Sequence, residues 1–326
     1  MRLLTERDVR SVLPMPDLIG AMELALKAYS AGRVAQPVRT VLEVGADHAF
    51  FGLMPAALDD PAAVGAKLVT VYHRNHERGL PSHLASILLL DPSTGALIAV
   101  MDGRYITEAR TAAVSAVSVR HLARPDARVL AIIGSGVQAR SHLEAIRHVR
   151  SLSEVRVWSP SQAHREAFAA ETSRDTGLAV RAATTAADAV RGADVVVLAT
   201  ASKTPVVADG DIADGTHIAA VGACRPTERE MPTSLVARSR VFVDSRVGAL
   251  KEAGELLLPI AEGAIQESHI AGELGELAAG RMTGRRSDSD VTVFKSLGMA
   301  VEDVVAARLV LDRAATANLG QHFSFT

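Results

Sequence analysis

Apolar and polar positions follow two different rhythms along the chain, and the rhythm changes near residue 120. Before that point a helical pattern covers residues 17–30, preceded by a weak capping box formed by Thr5 and Asp8. Strand-like segments then follow at 40–44, 66–72, 85–90 and 96–101. Turn-forming residues at 91–95 separate the last two segments and predict a hairpin. The pattern indicates a mostly antiparallel sheet with flanking helices, an α+β domain.

After residue 120, short aliphatic segments alternate with connections, several of which are helical. The segments lie at 129–133, 155–158, 179–182, 195–199, 218–221 and 241–244, with a helical stretch at 139–149. This alternation is typical of a parallel sheet built from right-handed crossovers. A last helical pattern, 294–315, is expected to return to the first domain. We therefore predict an α/β protein of two domains, one formed by 1–120 and 301–326 and the other by 121–300.

The strongest local motif follows the aliphatic segment 129–133. Gly134, Gly136 and Ala139 give the form G-x-G-x-x-A, with Val137 and Gln138 between the second glycine and the alanine. The first glycine permits a tight turn, the second lets backbone approach a pyrophosphate, and the alanine packs helix on strand. A pyrophosphate binds well at such a helix N-terminus. The motif predicts a Rossmann domain with a doubly wound parallel sheet; a glycine-rich turn without a ligand is the alternative.

The end of the second predicted strand of this domain bears on the choice between NAD and NADP. A carboxylate there would bind the ribose 2′-hydroxyl, but the chain has Ser159 and Ser161 around Pro160. These hydroxyls, with Arg165 nearby, suit a 2′-phosphate. The sequence thus favours NADP(H), with NAD(H) possible; alternatively, both serines only cap the next helix.

Composition narrows the functional class. The formal net charge is −2, and no basic stripe of the kind that nucleic-acid-binding proteins carry is present in the sequence. Hydrophobic residues make up 48% of the chain, yet no apolar run is long enough for a membrane span. Cys224 is the single cysteine, and the N-terminal residues lack the apolar core of a signal peptide. We expect a cytoplasmic protein that binds neither nucleic acid, membrane nor metal.

Four polar residues lie inside otherwise apolar or turn-rich segments of the first domain. Arginines bind carboxylates bidentately, and a lysine or histidine can deliver a proton to nitrogen while a hydride arrives at carbon. Each residue, taken singly, also fits a salt-bridged or buried structural role. The four candidates are Arg39, Lys67, His83 and Arg110.

At these residues the sequence resembles the ornithine cyclodeaminase/μ-crystallin family over nearly its whole length. The resemblance is closest to the branch that reduces cyclic ketimines. The matching stretches lie in order across both domains and include 36–41, 67–70, 81–83, 99–103, 110–116, 134–139, 220–223, 249–252, 272–276 and 292–303.

The resemblance implies a homodimer whose first domain binds substrate and forms the dimer. It assigns the carboxylate-binding role to Arg39 and Arg110, the active-site lysine to Lys67 and a pocket histidine to His83. It also implies a substrate contact at Arg225 and a cofactor site whose further residues are Thr200, Val221, Cys224, Lys295 and Gly298.

Two departures from the family pattern bear on function. Cyclodeaminases carry a catalytic aspartate where this chain has Cys224, and a thiol does not replace a carboxylate as a base near neutral pH. Pro160 stands where the ketimine-reducing branch has an arginine suited to a 2′-phosphate. The sequence therefore predicts an NAD(P)H-dependent reductase of cyclic ketimine carboxylates. A cyclodeaminase or L-amino-acid dehydrogenase of the same family, and a non-catalytic small-molecule-binding protein, are the alternatives.

Overall fold

The computed structural model describes residues 1–45 and 49–324, and the chain divides into two compact units. One unit is Met1–Arg110 with Gly298–Thr326, and the other is Thr111–Leu297. The predicted boundaries at 120 and 301 lie near these but not at them, and residues 325 and 326 fall outside the described range. No helix in the described part of the chain combines the length and apolarity needed to cross a membrane.

The first unit begins with a short strand and two helices and continues into a sheet. Its elements up to the connecting helix are β1 (Arg2–Leu4), α1 (Glu6–Val12), α2 (Met15–Ser30), β2 (Val34–Ala35), β3 (Thr40–Val44), β4 (Ala49–Asp59), β5 (Ala62–Val71), β6 (His83–Leu90), β7 (Leu97–Asp102) and α3 (Arg104–Leu122). The predicted capping box is confirmed, because Thr5 and Asp8 each accept a hydrogen bond from the other's backbone N–H at the start of α1.

The elements of the second unit are β8 (Val129–Ile133), α4 (Val137–Ile146), β9 (Glu154–Trp158), α5 (Gln162–Thr176), β10 (Val180–Ala182), α6 (Ala186–Val190), β11 (Val195–Leu198), β12 (His217–Ala220), α7 (Thr233–Arg238), β13 (Arg240–Val243), α8 (Arg246–Glu252), α9 (Gly254–Ala261), β14 (Ile270–Glu273), α10 (Leu274–Ala278) and β15 (Thr292–Lys295). The chain then enters α11 (Ala300–Thr316) and β16 (Gln321–His322), which belong to the first unit.

The sheet of the first unit has the order β16-β1-β7-β6-β5-β4-β2, with β3 paired to β4. Its described pairings are antiparallel except that of β1 with β7, so the predicted antiparallel sheet and its hairpin are confirmed. Helix α11 packs on α2 and across β4 and β5. The C-terminal segment therefore completes the core of the first unit.

The second unit contains a parallel sheet of order β10-β9-β8-β11-β12-β15-β13-β14. Alternate residues of one strand enter two separate cores: Leu130 and Ile132 of β8 face one, and Ala131 and Ile133 the other. A sheet buried on both faces by helices is the predicted doubly wound α/β fold, which is confirmed.

One predicted element is wrong at its start. Residues 294 and 295 belong to β15, a central strand between β12 and β13, rather than to the helix predicted for 294–315. Thr292 and Val293 are β-branched and fully buried, which suits a strand, and Gly298 has a φ of +80° that a helix cannot continue through. The helix begins at Ala300 instead.

Candidate active site

The predicted active-site lysine lies in the interior of the first unit. Lys67 is in the middle of β5, paired with Met54 on β4 and with Ile87 on β6. Its side chain is 2% exposed, and Nζ lies 2.6 Å from Oδ2 of Asp303 on α11. Burial lowers the pKa of Lys67 to about 8, although the Asp303 carboxylate acts in the opposite direction. An ammonium group with a pKa near ambient pH is suited to general acid–base catalysis.

The predicted carboxylate-binding arginine of α3 joins the same cluster. Arg110 donates from Nη1 to Glu302 Oε2 at 2.8 Å and from Nε to Asp303 Oδ1 at 3.0 Å. Both acidic side chains are fully buried. Asp303 therefore holds Arg110 with one oxygen and Lys67 with the other, which fixes the lysine ammonium beside the guanidinium.

The second predicted arginine reaches the segment that leads into α11. Arg39 donates from Nη2 to the carbonyl oxygen of Gly298 at 3.3 Å, and its charge is one of the causes of the lowered pKa of Lys67. Gln36 accepts a hydrogen bond from the backbone N–H of Val301 at 2.9 Å. The structure thus brings together three of the four residues that the sequence singled out in this unit.

His83 is the candidate that the structure does not join to this cluster. It begins β6 opposite Val71, whereas Lys67 faces Ile87. Four residues along a strand correspond to about 13 Å. The side chain remains accessible to solvent, yet partial desolvation of the ring and then the charge of His73 hold the pKa of His83 below its usual value. A neutral imidazole is a poor proton donor, so Lys67 is the better candidate for that task.

The predicted dinucleotide turn has the geometry that its glycines imply. Gly134 has a φ of +118°, and a Cβ there would press on the carbonyl group of Ala199, 3.0 Å from its carbon. Gly136 is the N-cap of α4 without a side-chain cap, and a Cβ on it would meet no atom within 4 Å. Ala139 is fully buried. The turn therefore leaves open space in front of free backbone N–H groups.

Val137 and Gln138, which lie between Gly136 and Ala139, also belong to this turn. Val137, at the first helical position, is 50% exposed. Gln138 Oε1 is buried and has no hydrogen-bond partner among the described residues. The N–H groups at the start of α4 suit an anion, and the unsatisfied acceptor of Gln138 suits a donor group of the same polar ligand. The predicted residues thus fit the pyrophosphate of a dinucleotide.

The serines after β9 are engaged within their own turn. Ser161 caps α5 by accepting from the N–H of His164, as the alternative interpretation of the sequence held. Ser159 is buried, donates to the carbonyl of Ser161 and accepts from Ser135 Oγ at 2.9 Å. Arg165 donates from Nη1 to the carbonyl oxygen of Ser159 at 2.9 Å. These residues form one compact turn at the end of β9.

The loops after β11 and β12 are joined by a carboxylate that the sequence analysis missed. Glu230 Oε1 accepts from Thr200 N at 2.8 Å and from Thr200 Oγ1 at 2.7 Å, and its Oε2 accepts from Gly222 N at 2.8 Å. Burial raises the pKa of Glu230 above its usual value. Thr200, predicted to contact the cofactor, thus has its hydroxyl committed to Glu230, and Val221 is buried next to Gly222.

Lys295 requires a correction. We expected it to contact the cofactor, but its side chain is fully buried. Its ammonium donates to the carbonyl oxygens of Ala220 and Ala223 and lies 3.5 Å from Glu255 Oε2. A side chain enclosed by protein oxygens supports the end of β12 rather than touching a ligand. Cys224 and Arg225 follow in the same loop, both exposed.

Gly298 also has a contact that the sequence did not reveal. It belongs to the first unit, and a Cβ on it would lie 2.7 Å from Nη2 and 2.9 Å from Cζ of Arg110, closer than an ordinary contact. The glycine therefore gives the guanidinium room. Its predicted contact with the cofactor stays a prediction.

Comparison with known proteins now places the chain. The profile of the ornithine cyclodeaminase/mu-crystallin family matches residues 1–318. The chain belongs to this family. The ketimine reductase mu-crystallin of Rattus norvegicus is 44% identical over 298 residues, which are 90% of this chain and 91% of the rat protein.

Two solved structures of this family's fold are also similar. The Δ1-pyrroline-2-carboxylate reductase of Thermococcus litoralis, in complex with NADH and L-proline, superposes with a TM-score of 0.96 at 38% identity and covers 99% of this chain and 100% of its own. An archaeal alanine dehydrogenase dimer with bound NAD gives a TM-score of 0.95 at 32% identity, covering 100% of this chain and 99% of its own.

The acidic partners of the cluster were missed because they look ordinary in the sequence. Glu302 and Asp303 lie in the first turn of α11, where acids commonly stabilise the helix dipole on the surface. A signal was nevertheless present, because apolar residues occupy the positions on every side of them from 300 to 307. Acids within a helix that is apolar all round indicate buried charge in need of cationic partners.

The described parts of the chain contain no group of His, Cys, Asp and Glu residues that could hold a metal ion.

Proposed function

We propose that this protein is a nicotinamide-dependent reductase of cyclic ketimine carboxylates, such as Δ1-pyrroline-2-carboxylate, Δ1-piperideine-2-carboxylate and their sulfur-containing analogues. One observation carries the proposal: Asp303 holds the guanidinium of Arg110 and the ammonium of Lys67 side by side in a buried site. An anion-binding group beside a proton donor suits a substrate with a carboxylate next to a basic nitrogen. The names of the rat and Thermococcus relatives support the same substrate class.

The residues of the first unit bind and orient the substrate. Arg110 and Arg39 are the anchors for the carboxylate, since guanidinium groups bind carboxylates bidentately. Lys67 then gives a proton to the imine nitrogen. A protonated imine is a much better hydride acceptor than a neutral one, so the proton from Lys67 accelerates the hydride transfer.

The residues of the second unit hold the nucleotide. Gly134, Gly136 and Ala139 form the turn for its pyrophosphate, and the N–H groups at the start of α4 meet that anion. When bound, the dihydronicotinamide supplies the hydride. The bound NADH and NAD of the two related structures support this class of cofactor.

A preference for NADP(H) over NAD(H) is part of the proposal. It is supported by the absence of a carboxylate from residues 159–162, where NAD-binding domains place one against the ribose. Ser159 and Arg165 already contact each other within their turn. We therefore expect a moderate preference, with NAD(H) used as well.

The experiment is a panel of cyclic imine carboxylates assayed against NADPH and NADH. We expect reduction of five- or six-membered ring imines with either nucleotide, followed as loss of absorbance by the nucleotide. Incubation with ornithine and NAD, and with pyruvate, ammonia and NADH, tests the two rival family activities. Proline and ammonia formed from ornithine, or alanine formed faster than any cyclic product, would contradict the proposal. The exposed thiol of Cys224 disfavours the first of these outcomes.

We further propose that the protein is a homodimer joined through the first unit. Leu42, Phe51, Thr70 and Leu84 form one row across β3, β4, β5 and β6. Leu42 is 57% exposed and Leu84 40%, and this face is the reverse of the one that carries Lys67. The dimeric alanine dehydrogenase supports a second copy as the occupant. Sedimentation velocity tests this interface. It would be excluded if the wild type sedimented as a monomer, or if the double variant Leu42→Glu, Leu84→Glu sedimented as a dimer.

A single cysteine fits a cytoplasmic location, which we also propose.

A further inference from the structure

Asp303 contacts two cations that have different tasks in the proposed reaction. Its Oδ1 lies 3.0 Å from Arg110 Nε and its Oδ2 lies 2.6 Å from Lys67 Nζ, with the carboxylate fully buried. The two oxygens belong to one rigid planar group. A change in charge or position at Arg110 is therefore felt at Lys67 through a single shared partner.

We propose that binding of the substrate carboxylate at Arg110 is coupled to uptake of a proton by Lys67, and that Asp303 is the positioning residue that holds the two cations together and sets the pH range of this uptake. The inference rests on the proposed function, since it takes Arg110 as the anchor and Lys67 as the proton donor. It goes beyond that function by stating when the donor acquires its proton.

The charged groups around Lys67 give the direction of the coupling. Asp303 faces it from α11, Arg110 from α3 and Arg39 from the segment before β3, while Glu302 of α11 pairs with Arg110. Its ladder partners, Met54 and Ile87, carry no charge. Burial above all, together with the two guanidinium groups, lowers the pKa of Lys67 to about 8, against the opposite effect of Asp303.

A carboxylate bound to those guanidinium groups reverses part of this effect. It adds a negative charge a few ångströms from the lysine, and an opposite charge nearby favours the protonated form. The site is shielded from water, which strengthens the interaction. Above pH 8 the free enzyme therefore holds Lys67 mostly neutral, and the arriving substrate charges it.

This coupling has a consequence for specificity. An imine without a carboxylate leaves the donor neutral above pH 8, so its reduction is slow even at saturating concentration. The carboxylate thereby contributes to kcat as well as to KM, which a mere anchor would not do.

Isothermal titration calorimetry of the full-length protein tests the proposal. The probe is furan-2-carboxylate, a flat five-membered ring carboxylate with no group that titrates between pH 6 and 10. Repeating the titration in buffers of different ionisation enthalpy gives the number of protons taken up. At about pH 9, one unit above the free pKa, we expect an uptake approaching one proton per site, and almost none at about pH 6.5.

Three variants separate the coupling from a general loss of structure. Lys67→Met should bind the probe without proton uptake. Asp303→Asn should move the pH of greatest uptake downwards by about one unit, because Lys67 loses its anionic partner. Glu302→Gln, which removes the neighbouring buried carboxylate on Arg110, should move it less. If Asp303→Asn does not fold, the wild type and Lys67→Met decide the question.

The outcomes are distinct. Probe binding without uptake at any pH, or uptake that persists in Lys67→Met, overturns the coupling and leaves the proposed function intact. Failure of the wild type both to bind the probe and to reduce any cyclic imine overturns the proposed function, and the coupling with it. Uptake that vanishes in Lys67→Met and shifts in Asp303→Asn supports the coupling.

Discussion

Replacement of Gly298 by alanine separates two roles for this glycine, one beside the arginines and one at the cofactor. An alanine Cβ would lie 2.7 Å from Nη2 and 2.9 Å from Cζ of Arg110. Ordinary contacts are about 3.5 Å or longer, so the guanidinium must retreat by nearly 1 Å. It cannot do so freely, because Glu302 and Asp303 hold it at 2.8 and 3.0 Å.

The expected effect follows from this displacement. A misplacement of about 1 Å in a substrate-anchoring group can reduce kcat/KM by about 100-fold. We expect a 10- to 100-fold loss in kcat/KM, roughly, expressed mainly in KM for the imine carboxylate. The backbone at a φ of +80° adds a cost of about 1–2 kcal/mol in the free energy of unfolding.

Gly32→Ala is the matched control. Gly32 has a φ of +71° in the same unit, and a Cβ there would meet nothing within 4 Å. This variant should show a similar loss of stability, measured by urea unfolding, with unchanged kinetics. The dissociation constant of NADH, from fluorescence titration, should change less than twofold in both variants. An unchanged KM in Gly298→Ala, or NADH binding weakened as much as KM rises, would refute the assignment of Gly298 to Arg110.

Three further predictions concern the nucleotide turn, the lysine and two buried histidines. Gly136→Ala should leave the free energy of unfolding within about 0.5 kcal/mol of the wild type, because its Cβ meets no neighbour within 4 Å. It should weaken NADH binding by at least about tenfold, since the methyl group fills the space for the pyrophosphate. Equal binding of NADH by the variant and the wild type in a fluorescence titration would contradict the pyrophosphate site. Lys67→Met should lower turnover by about 100- to 10,000-fold with NADH affinity unchanged. In the wild type, kcat/KM should fall as the pH rises through about 8, where the ammonium is lost; the same falling limb in the variant would exclude Lys67 as the donor. Burial lowers the pKa of His142 to about 4 and of His217 to about 3, so the unfolded state, whose imidazoles titrate near 6.5, binds more protons below that pH. Stability should therefore be complete above pH 6.5 and fall by about 1.4 kcal/mol per pH unit for each histidine on acidification. The free energy of unfolding, measured with urea between pH 6.5 and 5, should depend less steeply on pH in His217→Asn than in the wild type, by about 1.4 kcal/mol per pH unit. An equal pH dependence in the two proteins would contradict the assignment to His217.

The parallel half of the fold is predictable from sequence because its strands are apolar on both faces. Val129–Ile133 and Val195–Leu198 have no polar residue at all, and a helix or a glycine turn punctuates each connection. The sequence pattern did not predict strand β4, because residues that disfavour strands lie within it. It contains Pro55 and Gly52, which usually interrupt strands, yet it pairs with β5 without a break from Phe50 to Asp59.

The cations of the site were predictable, but their partners were not. Lys67 stands out as a lone charge in an apolar segment, and Arg110 stands out because the largely apolar stretch 111–119 follows it. Asp303 lies 236 positions after Lys67 and 193 after Arg110, and only the return of α11 across β5 brings them together. Pairing of this kind depends on tertiary topology, which a local pattern does not contain. His83 is the opposite case. It lies nearer to Lys67 in the sequence than Asp303 does, yet the structure does not join it to the lysine cluster.

The return of the C-terminal segment imposes an order on biosynthesis. The second unit is one continuous stretch, 111–297, and can fold as soon as it has left the ribosome. The first unit waits for 298–326, so the nascent polypeptide carries an unneutralised lysine and arginine in an unfinished sheet until those residues have been made. Residues made first are thus completed last, and a ribosome that stalls soon after residue 297 would release a chain with a finished nucleotide unit and an unbuilt catalytic one.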